Sequence, residues 1–278
     1  MLRSFDRFLR SKRAIKRNNQ LNKEVTTEND AITDSGLYNY MRDLRTLFNA
    51  AKEKYNDEDL GIIRIPHYPF NKYKVGSPPA TKKRNISAKL IIKIRDCKTK
   101  ENSRAELAKE LFMLYFYLCG INAVDLYHIS KCNIIKGRLE YNRCKTEGRR
   151  KDKAFISIKL IDEAVPLLEK YIEKLSLRNA TSKGFDGALS RGMKHLREDS
   201  GIPEVTYYWA RHSFANCARN DCRLSKDDIA LALNHVDNGH RTTDIYLSKD
   251  WKIVDEVQQK VITLLRKLDG IPKNKNTQ

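Results

Sequence analysis

The stretch Tyr207-Tyr208-Trp209-Ala210-Arg211-His212-Ser213-Phe214-Ala215, taken with two shorter stretches that follow it, decides how this sequence is interpreted. The first of these is Leu233-Asn234-His235, and the second is Thr242-Thr243-Asp244-Ile245-Tyr246-Leu247. Together they place an arginine, a histidine and a tyrosine in one region, in that order. Arginine binds phosphate oxygens through a rigid fork of donors, histidine exchanges protons near neutral pH, and a tyrosine oxygen can act as a nucleophile. The pattern indicates a site that handles phosphate esters.

The composition favours a polyanionic partner. The chain has 54 Lys+Arg against 35 Asp+Glu, which gives a formal net charge of +19, and its pI is about 9.6. A surface this basic attracts nucleic acid at long range. With 278 residues, of which 40% are hydrophobic, the chain can bury a substantial core, so it is not a disordered basic tail.

Other classes of protein find less support. The most apolar stretch, from Leu111 to Val124, is shorter than the ~20 residues that a membrane-spanning helix needs. The basic N-terminus lacks the apolar segment of a secretory signal, so a cytoplasmic location is predicted. The cysteines are dispersed without a CxxC pair, which favours reduced core thiols over disulfides or a zinc site. They are Cys97, Cys119, Cys132, Cys144, Cys217 and Cys222.

The first part of the chain predicts one amphipathic helix and a basic leading segment. Apolar residues recur at helical spacing from Leu37 to Ala51, after the candidate caps Thr33, Asp34 and Ser35. The segment from Met1 to Lys23 carries eight basic residues against one acid, which suits a helix or arm lying along phosphates. A solvated run of charge is the alternative. Residues 65–84 are rich in proline and basic residues, and a linker between domains is predicted there.

The second part predicts helices around one small antiparallel sheet. The capping box Ser103-Arg104-Ala105-Glu106 opens a helix that becomes apolar on every face from Leu111 and stops at Gly120, as expected for the centre of a domain. Lys136-Gly137 is predicted to form a tight turn between two strands. The predicted strands are 133–135, 138–143 and 154–158, and the further predicted helices are 161–175, 185–198, 209–220, 225–233 and 253–264.

These motifs resemble the strand-transfer site of tyrosine recombinases of the phage-integrase family. Arg211 lies in Ala-Arg-His-Ser-Phe-Ala, His235 in Leu-Asn-His and Tyr246 in Thr-Thr-Asp-Ile-Tyr. The resemblance implies a mainly α fold with a small antiparallel β-sheet, the DNA breaking-rejoining catalytic fold, over residues 86–270. It also implies that residues 1–80 form a partial helical core-binding (SAM-like) domain. Because the family usually has a full core-binding domain, we expect part of the DNA clamp to be lacking here.

The resemblance implies a chemistry that needs neither a metal nor a nucleotide cofactor. Tyr246 would attack a DNA phosphate to form a 3′-phosphotyrosine, and Lys145 would protonate the leaving 5′ oxygen. Arg211 and His235 would stabilise the transition state. Tyr208 takes the place of the first histidine of the family's His-x-x-Arg, and it can donate a hydrogen bond but is a poor base near pH 7.

The sequence departs from the family pattern at one more position. Where the pattern usually has Gly-x-Arg, this chain has Gly120-Ile121-Asn122, so the first arginine is absent. Arg143 is the candidate for the missing positive charge, with Asn122 as a neutral substrate contact. His240, in the loop before Tyr246, is a candidate phosphate contact and a rival to His235. Lys145 is chosen from five basic residues within nine positions.

The function implied is site-specific DNA recombination or integration, as carried out by the integrase of a phage or mobile element. The partners implied are double-stranded DNA and a homotetramer on two DNA sites, and a DNA-bending accessory protein is a further candidate. The terminal helix from Ile253 onward either docks on a neighbouring protomer or packs into its own core.

Three alternatives remain open at this point. The protein could be a catalytically weakened or inactive integrase-derived DNA-binding protein, which the missing arginine favours. It could keep the chemistry and act as a relaxing topoisomerase. A basic RNA-binding protein is the third, but the chain contains no stacking-aromatic RNA motif.

Overall fold

In a computed structural model the protein divides into two compact units, Met1–Lys82 and Lys83–Gln278. The structure describes residues 1–80, 83–235 and 248–270. These residues are mainly helical with small antiparallel sheets, so the predicted fold class is confirmed. Instead of the one sheet predicted, the described residues form a three-stranded sheet in the second unit and two two-stranded sheets in the first.

The first unit contains a β-hairpin that the sequence did not predict. Its elements are α1 (Leu2–Leu9), β1 (Arg13–Asn18), β2 (Glu24–Asn29), α2 (Asp34–Tyr55), β3 (Asn56–Asp57) and β4 (Ile62–Ile63). The basic segment predicted as a helix or arm is therefore a short helix followed by a strand. The side chain of Asn19 accepts hydrogen bonds from the backbone N–H groups of Leu21 and Lys23, at 2.9 and 3.0 Å, and this closes the turn between β1 and β2.

The predicted linker, residues 65–84, is in part packed onto the first unit. Leu9, Leu37 and Met41 form the core there, and Tyr73 and Val75 lie against it. The Tyr73 hydroxyl also donates a 2.8 Å hydrogen bond to Asp6 on α1. The proline-rich segment lacks regular periodicity, but its aromatic and aliphatic side chains still bury apolar surface. Part of the predicted linker therefore packs onto the first unit, and the boundary between the two units, after Lys82, lies within it.

A helix buried on all sides forms the centre of the second unit. This is α4 (Arg104–Tyr117), which begins at the N-cap Ser103, whose hydroxyl accepts from the Glu106 N–H at 3.1 Å. From Leu111 to Ile121 every residue is buried. The long helix α8 (Ser182–Ser200) packs along α4 and approaches it closely at Gly192. Two short helices that the pattern did not indicate, α3 (Ala88–Asp96) and α5 (Ala123–His128), flank this core.

The sheet of the second unit agrees with the prediction. It consists of β5 (Ile134–Ile135), β6 (Arg138–Asn142) and β7 (Phe155–Lys159), all antiparallel in the order β5-β6-β7. Lys136 and Gly137 both have positive φ, 49° and 74°, as the predicted tight turn requires. The connection between β6 and β7, residues 143–154, is called the hairpin loop below.

One predicted helix is interrupted in the structure. The apolar pattern from Ile161 to Leu175 is divided between α6 (Val165–Tyr171) and α7 (Lys174–Arg178), with Glu173 in the left-handed region at φ 62°. Pro166 lies in the first turn of α6, where no N–H is needed. The remaining helices of the second unit are α9 (Trp209–Asn216), continued by a π-helical turn (Cys217–Asp221), α10 (Lys226–Ala232) and α11 (Trp251–Leu268).

The terminal helix α11 packs into its own unit. Val254, Val257 and Val261 are buried in the main core. The buried Gln258 amide donates a 2.7 Å hydrogen bond to the backbone oxygen of Tyr117 at the end of α4. The sequence left open whether this helix docks on a neighbouring protomer or packs into its own core. In the structure its apolar face packs into its own core. None of the helices in the described part of the chain is long and apolar enough to cross a membrane.

Candidate phosphate-binding site

Arg211 lies on α9 and is buried, with 6% of its surface exposed. Its Nη1 donates a 2.6 Å hydrogen bond to the backbone oxygen of Gly120, and its Nη2 donates to the backbone oxygen of Leu233. Burial lowers the pKa of Arg211, and the neighbouring charge of Arg143 lowers it further. Arginine remains protonated in such settings because its ordinary pKa is above 12. A positive charge is therefore held at the point where the turn after α4 meets the end of α10.

Gly120 makes this arrangement of Arg211 sterically possible. Its φ is +72°, in the region that favours glycine. A Cβ atom there would lie 2.8 Å from the Arg211 Cα and 2.7 Å from its Cγ, closer than real Cβ contacts. The sequence pattern suggested Gly120 as the end of a helix and as the glycine of the Gly-x-Arg pattern. The structure adds that its missing side chain leaves the space that Arg211 occupies.

Arg143 supplies a second buried positive charge. It follows β6 and has 8% of its surface exposed. Its Nη1 donates to the backbone oxygen of Asn234 at 3.3 Å, whereas its buried Nε has no partner among the described residues. A buried donor on a charged group is costly when it is left without a partner. An anionic ligand at this position would satisfy it.

His235 lies close to both arginines. Asn234 holds a left-handed backbone angle, φ 50°, and the His235 N–H donates to the Ala230 oxygen at 2.8 Å. The residue as a whole is exposed, but its imidazole is partly desolvated, and this desolvation is the largest influence on its pKa. This desolvation, followed by the charges of Arg211, Arg143 and Lys145, lowers the pKa of His235 to about 4. The imidazole is therefore neutral at pH 7.

Lys145 and Tyr208 border the same region. Lys145 is exposed in the hairpin loop, and its charge reaches His235. Tyr208 is the N-cap residue of α9 and is 40% exposed. Its ring meets that of His212 edge to face, with the ring centres 5.0 Å apart. Burial first, and then the charges of Arg84 and Arg211, lower the pKa of His212.

Asn122, at the position where an arginine was sought, binds a carboxylate instead. Its amide donates to Asp125 at 3.2 Å, and Asp125 also accepts from the Cys144 N–H at 2.9 Å. Asp125 is 2% exposed and joins α5 to the residue before Lys145. Asn122 brings no positive charge to the site. Arg143, in the hairpin loop, remains the candidate for the missing positive charge, and its guanidinium donates to the backbone oxygen of Asn234.

Two of the predicted site residues, Tyr246 and His240, lie in residues 236–247, outside the described residues. Of the others, Arg211 and Arg143 donate to the backbone oxygens of Leu233 and Asn234, the two residues directly before His235, and Lys145 follows Arg143 in the hairpin loop. Nothing in the described part of the chain groups three or more His, Cys, Asp or Glu side chains in a way that could hold a metal ion. The cluster of described groups is cationic and partly desolvated, which suits a phosphate.

Sequence reasoning missed two residues of this region, Arg150 and Asp152. Arg150 donates from Nη1 to the Asn234 side-chain oxygen at 2.8 Å and to its backbone oxygen at 3.3 Å. It also forms a bidentate ion pair with Asp152. Arg150 belongs to a run of basic residues in the hairpin loop, and no periodicity in that run distinguishes the member that points inward. Only the contact with Asn234, 84 positions away, does so.

Two structures of lambda integrase are among the solved structures that resemble the chain. One is a dimer of lambda integrase, residues 75–356, bound to a COC′ core site; it is 18% identical, the match covers 78% of this chain and 77% of that one, and the TM-score is 0.47. The other is a lambda integrase tetramer bound to a Holliday junction, with 16% identity, coverage of 77% and 67%, and a TM-score of 0.44. No protein-family model matches the sequence, and no curated protein does. At this level of identity the likeness concerns the course of the chain and not its chemistry.

Proposed function

We propose that the protein is a tyrosine-type DNA strand transferase, a site-specific recombinase or integrase that cuts and rejoins DNA through a 3′-phosphotyrosine. The observation that carries this proposal is the pair of buried arginines, Arg211 and Arg143, which donate to the backbone oxygens directly before His235, with the buried Nε of Arg143 still without a partner among the described residues. A phosphodiester would bring the negative charge that these groups lack.

Each residue has a defined part in the proposed reaction. The Tyr246 phenolate oxygen attacks phosphorus, the bond to the 5′ oxygen breaks, and Lys145 gives that oxygen a proton. Arg211 and Arg143 stabilise the additional negative charge on the five-coordinate phosphorus. His235, neutral at pH 7, donates a hydrogen bond to a phosphate oxygen. A free 5′ hydroxyl then attacks the phosphotyrosine and reverses the step.

Three further residues have supporting parts. The exposed Tyr208 hydroxyl donates to a phosphate oxygen, Asn122 makes a neutral contact with the DNA, and His240 is a phosphate contact and the rival to His235. The proposed reaction conserves the energy of the phosphodiester in the covalent link, so it requires no metal or cofactor. The balance of charge is consistent with DNA as the substrate, since 54 basic residues oppose 35 acidic ones.

The larger arrangement is part of the proposal. Residues 1–80 act as a partial core-binding domain and residues 86–270 as the catalytic domain, together binding double-stranded DNA. Four protomers act on two DNA sites in the cytoplasm, where an accessory protein that bends DNA can assist.

A second function is favoured by one observation. Asn122 is uncharged and is engaged with Asp125, so the chain has no arginine at the position where the family pattern has its first one. A protein that binds DNA but no longer cuts it would tolerate this loss. The test below separates the two functions.

The decisive experiment is a trapping assay. A duplex selected for binding from a randomised pool is nicked near each candidate cleavage position, so that the short 5′-hydroxyl fragment leaves and the covalent adduct accumulates. We expect wild-type protein to form an adduct that survives denaturation, and Tyr246→Phe to form none while binding the duplex normally in a gel-shift assay. The matched control is Tyr40→Phe, which changes an exposed tyrosine on α2 and should form adduct like the wild type.

Each other outcome has a clear meaning. Wild-type binding without any adduct would favour the DNA-binding protein over the enzyme. Adduct formation by Tyr246→Phe would remove Tyr246 as the nucleophile. Relaxation of a supercoiled plasmid without joining of two sites would identify a topoisomerase instead of a recombinase.

A further inference from the structure

We propose that Arg150 and Asp152 are positioning residues that place Lys145 against the phosphate-binding groups. With Asn234 and Lys249 they form a hydrogen-bonded cluster, called the Arg150 clasp below, which ties the hairpin loop to the chain on both sides of residues 236–247. This inference rests on the proposed strand-transfer function. It assigns a role to residues that lie outside the proposed reaction itself.

The first half of the Arg150 clasp joins the hairpin loop to Asn234. Arg150 is the donor, through Nη1, to both oxygens of Asn234, and its side chain is 13% exposed. The Asn234 amide donates in return to the Ala154 backbone oxygen at 2.7 Å. Since Asn234 is buried, these bonds are shielded from water and are stronger than the same bonds at the surface. They fix the residue that immediately precedes His235.

The second half joins the same loop to Lys249. Asp152 accepts from Arg150 Nε at 2.8 Å, from the Ala154 N–H at 3.0 Å and from Lys249. Partial burial acts to raise the pKa of Asp152, but the hydrogen bonds from Arg150, Lys249 and the Ala154 N–H outweigh it and hold the pKa well below its usual range. Asp152 is thus held in its ionised form, and it accepts hydrogen bonds both from the hairpin loop and from Lys249.

The Arg150 clasp lies close in sequence both to Lys145 and to Tyr246. Lys145 lies five residues before Arg150 in the hairpin loop, and Lys249 lies three residues after Tyr246. A general acid works only within hydrogen-bond reach of the oxygen that it protonates. An error of about 1 Å in such placement can cost about 100-fold in rate. The Arg150 clasp restrains the loop that bears Lys145 relative to His235.

A purely structural ion pair is the competing explanation, because exposed pairs often contribute little to stability and nothing to chemistry. The two explanations differ in one measurable respect. Loss of positioning should harm only the step that needs Lys145 as an acid. A general loss of structure should harm every substrate and also DNA binding.

The experiment compares adduct formation on two nicked duplexes, an ordinary one and one whose leaving 5′ oxygen is replaced by sulfur. A thiolate leaves without being protonated, because a thiol is far more acidic than an alcohol. We expect Asp152→Asn to slow adduct formation about 10- to 100-fold on the ordinary duplex. On the sulfur duplex it should regain a rate close to that of the wild type, as should Lys145→Ala. DNA binding by Asp152→Asn should not change.

Glu163→Gln is the matched control. Glu163 accepts two hydrogen bonds from Arg266 on α11, at 2.7 and 2.8 Å, so the variant loses a similar ion pair that does not involve the hairpin loop. It should form adduct at the wild-type rate on both duplexes. Equal slowing of Asp152→Asn on both duplexes, or no slowing on either, would overturn the inference. Absence of adduct from wild-type protein on both duplexes would instead reject the proposed function, and this inference with it.

Discussion

Gly120 leaves the space that Arg211 occupies in the candidate site. Its replacement by alanine would have two energetic costs, one from the backbone angle and one from the overlap with Arg211. Gly120→Ala combines a left-handed backbone angle with a clash against Arg211, whereas Gly137 has a similar φ of +74° and nothing within 4 Å of an added Cβ. We expect Gly137→Ala to lower the free energy of unfolding by about 1–2 kcal/mol from the backbone alone. Gly120→Ala should lower it by about 1–3 kcal/mol more. Urea denaturation measures both, and equal effects would show that the close approach costs nothing.

His235 predicts a dependence of stability on pH. An ordinary histidine has a pKa of about 6.5, and His235 has one of about 4, so the unfolded chain binds more protons between these values. The free energy of unfolding should therefore decrease as the pH falls from about 6.5 towards 4, and His235 should contribute no pH dependence above that range. His235→Gln should remove this part of the profile. Thermal unfolding of both proteins between pH 4 and 7 tests this, and identical profiles would contradict it.

The same residue reports on phosphate binding. Desolvation and three cations lower its pKa, and a bound phosphodiester would counter the charges of Arg211, Arg143 and Lys145. The pKa of His235 should consequently rise when DNA is bound at this site. The charge of the phosphodiester acts in this direction whether or not the protein cleaves DNA.

At the scale of elements, the packing of α8 on α4 depends on one small residue. A Cβ at Gly192 would overlap the backbone oxygen of Arg104 and lie 3.0 Å from the Ala108 Cβ, whereas a Cβ at Gly187 would meet only the end of the Arg191 side chain at 3.5 Å. Gly187→Ala should stabilise the protein by about 0.5–1 kcal/mol through helix propensity. Gly192→Ala should destabilise it by about 1–3 kcal/mol. Chemical denaturation of the two variants tests the opposite signs, and stabilisation by both would contradict the close packing.

Elements with a strong local pattern were predictable, and those without one were not. The capping box at Ser103 and the apolar repeat of α11 located long helices correctly. The hairpin of β1 and β2 was missed because nearly all its residues are exposed, so neither strand shows alternation of buried and exposed positions. The break between α6 and α7 was missed because the apolar repeat passes through Glu173 without interruption.

The candidate site was predictable to a similar extent. Short motifs singled out Arg211 and His235, since each lies in a recognisable local pattern. Arg143 was a candidate only through its charge, and its burial could not be inferred because it depends on Asn234, 91 positions away. The same holds for Arg150 and Asp152. Contacts over such separations are set by the packing of the whole unit, which local spacing does not encode.

At the scale of the whole molecule, the net charge of +19 predicts that binding to DNA weakens steeply with salt. Each phosphate neutralised by a basic residue releases condensed counterions, so the logarithm of the binding constant falls linearly with the logarithm of salt concentration. If Lys145 contacts a phosphate, Lys145→Ala should make that slope less negative by about 0.9. Gel-shift titrations over a range of salt concentrations measure it.

The matched control for this change is Lys174→Ala, which removes the same charge elsewhere. Lys174 lines a cavity of about 500 Å³ with Arg104, at the start of α4, whereas Gly120 and Arg211 meet just beyond the other end of that helix. Fourteen helical residues separate the two ends by about 20 Å, twice the screening length of about 10 Å at 0.1 M salt. The slope for Lys174→Ala should therefore equal that of the wild type. If both variants reduce the slope equally, the DNA is held by the general positive charge of the surface and not by a bound phosphate beside Arg211.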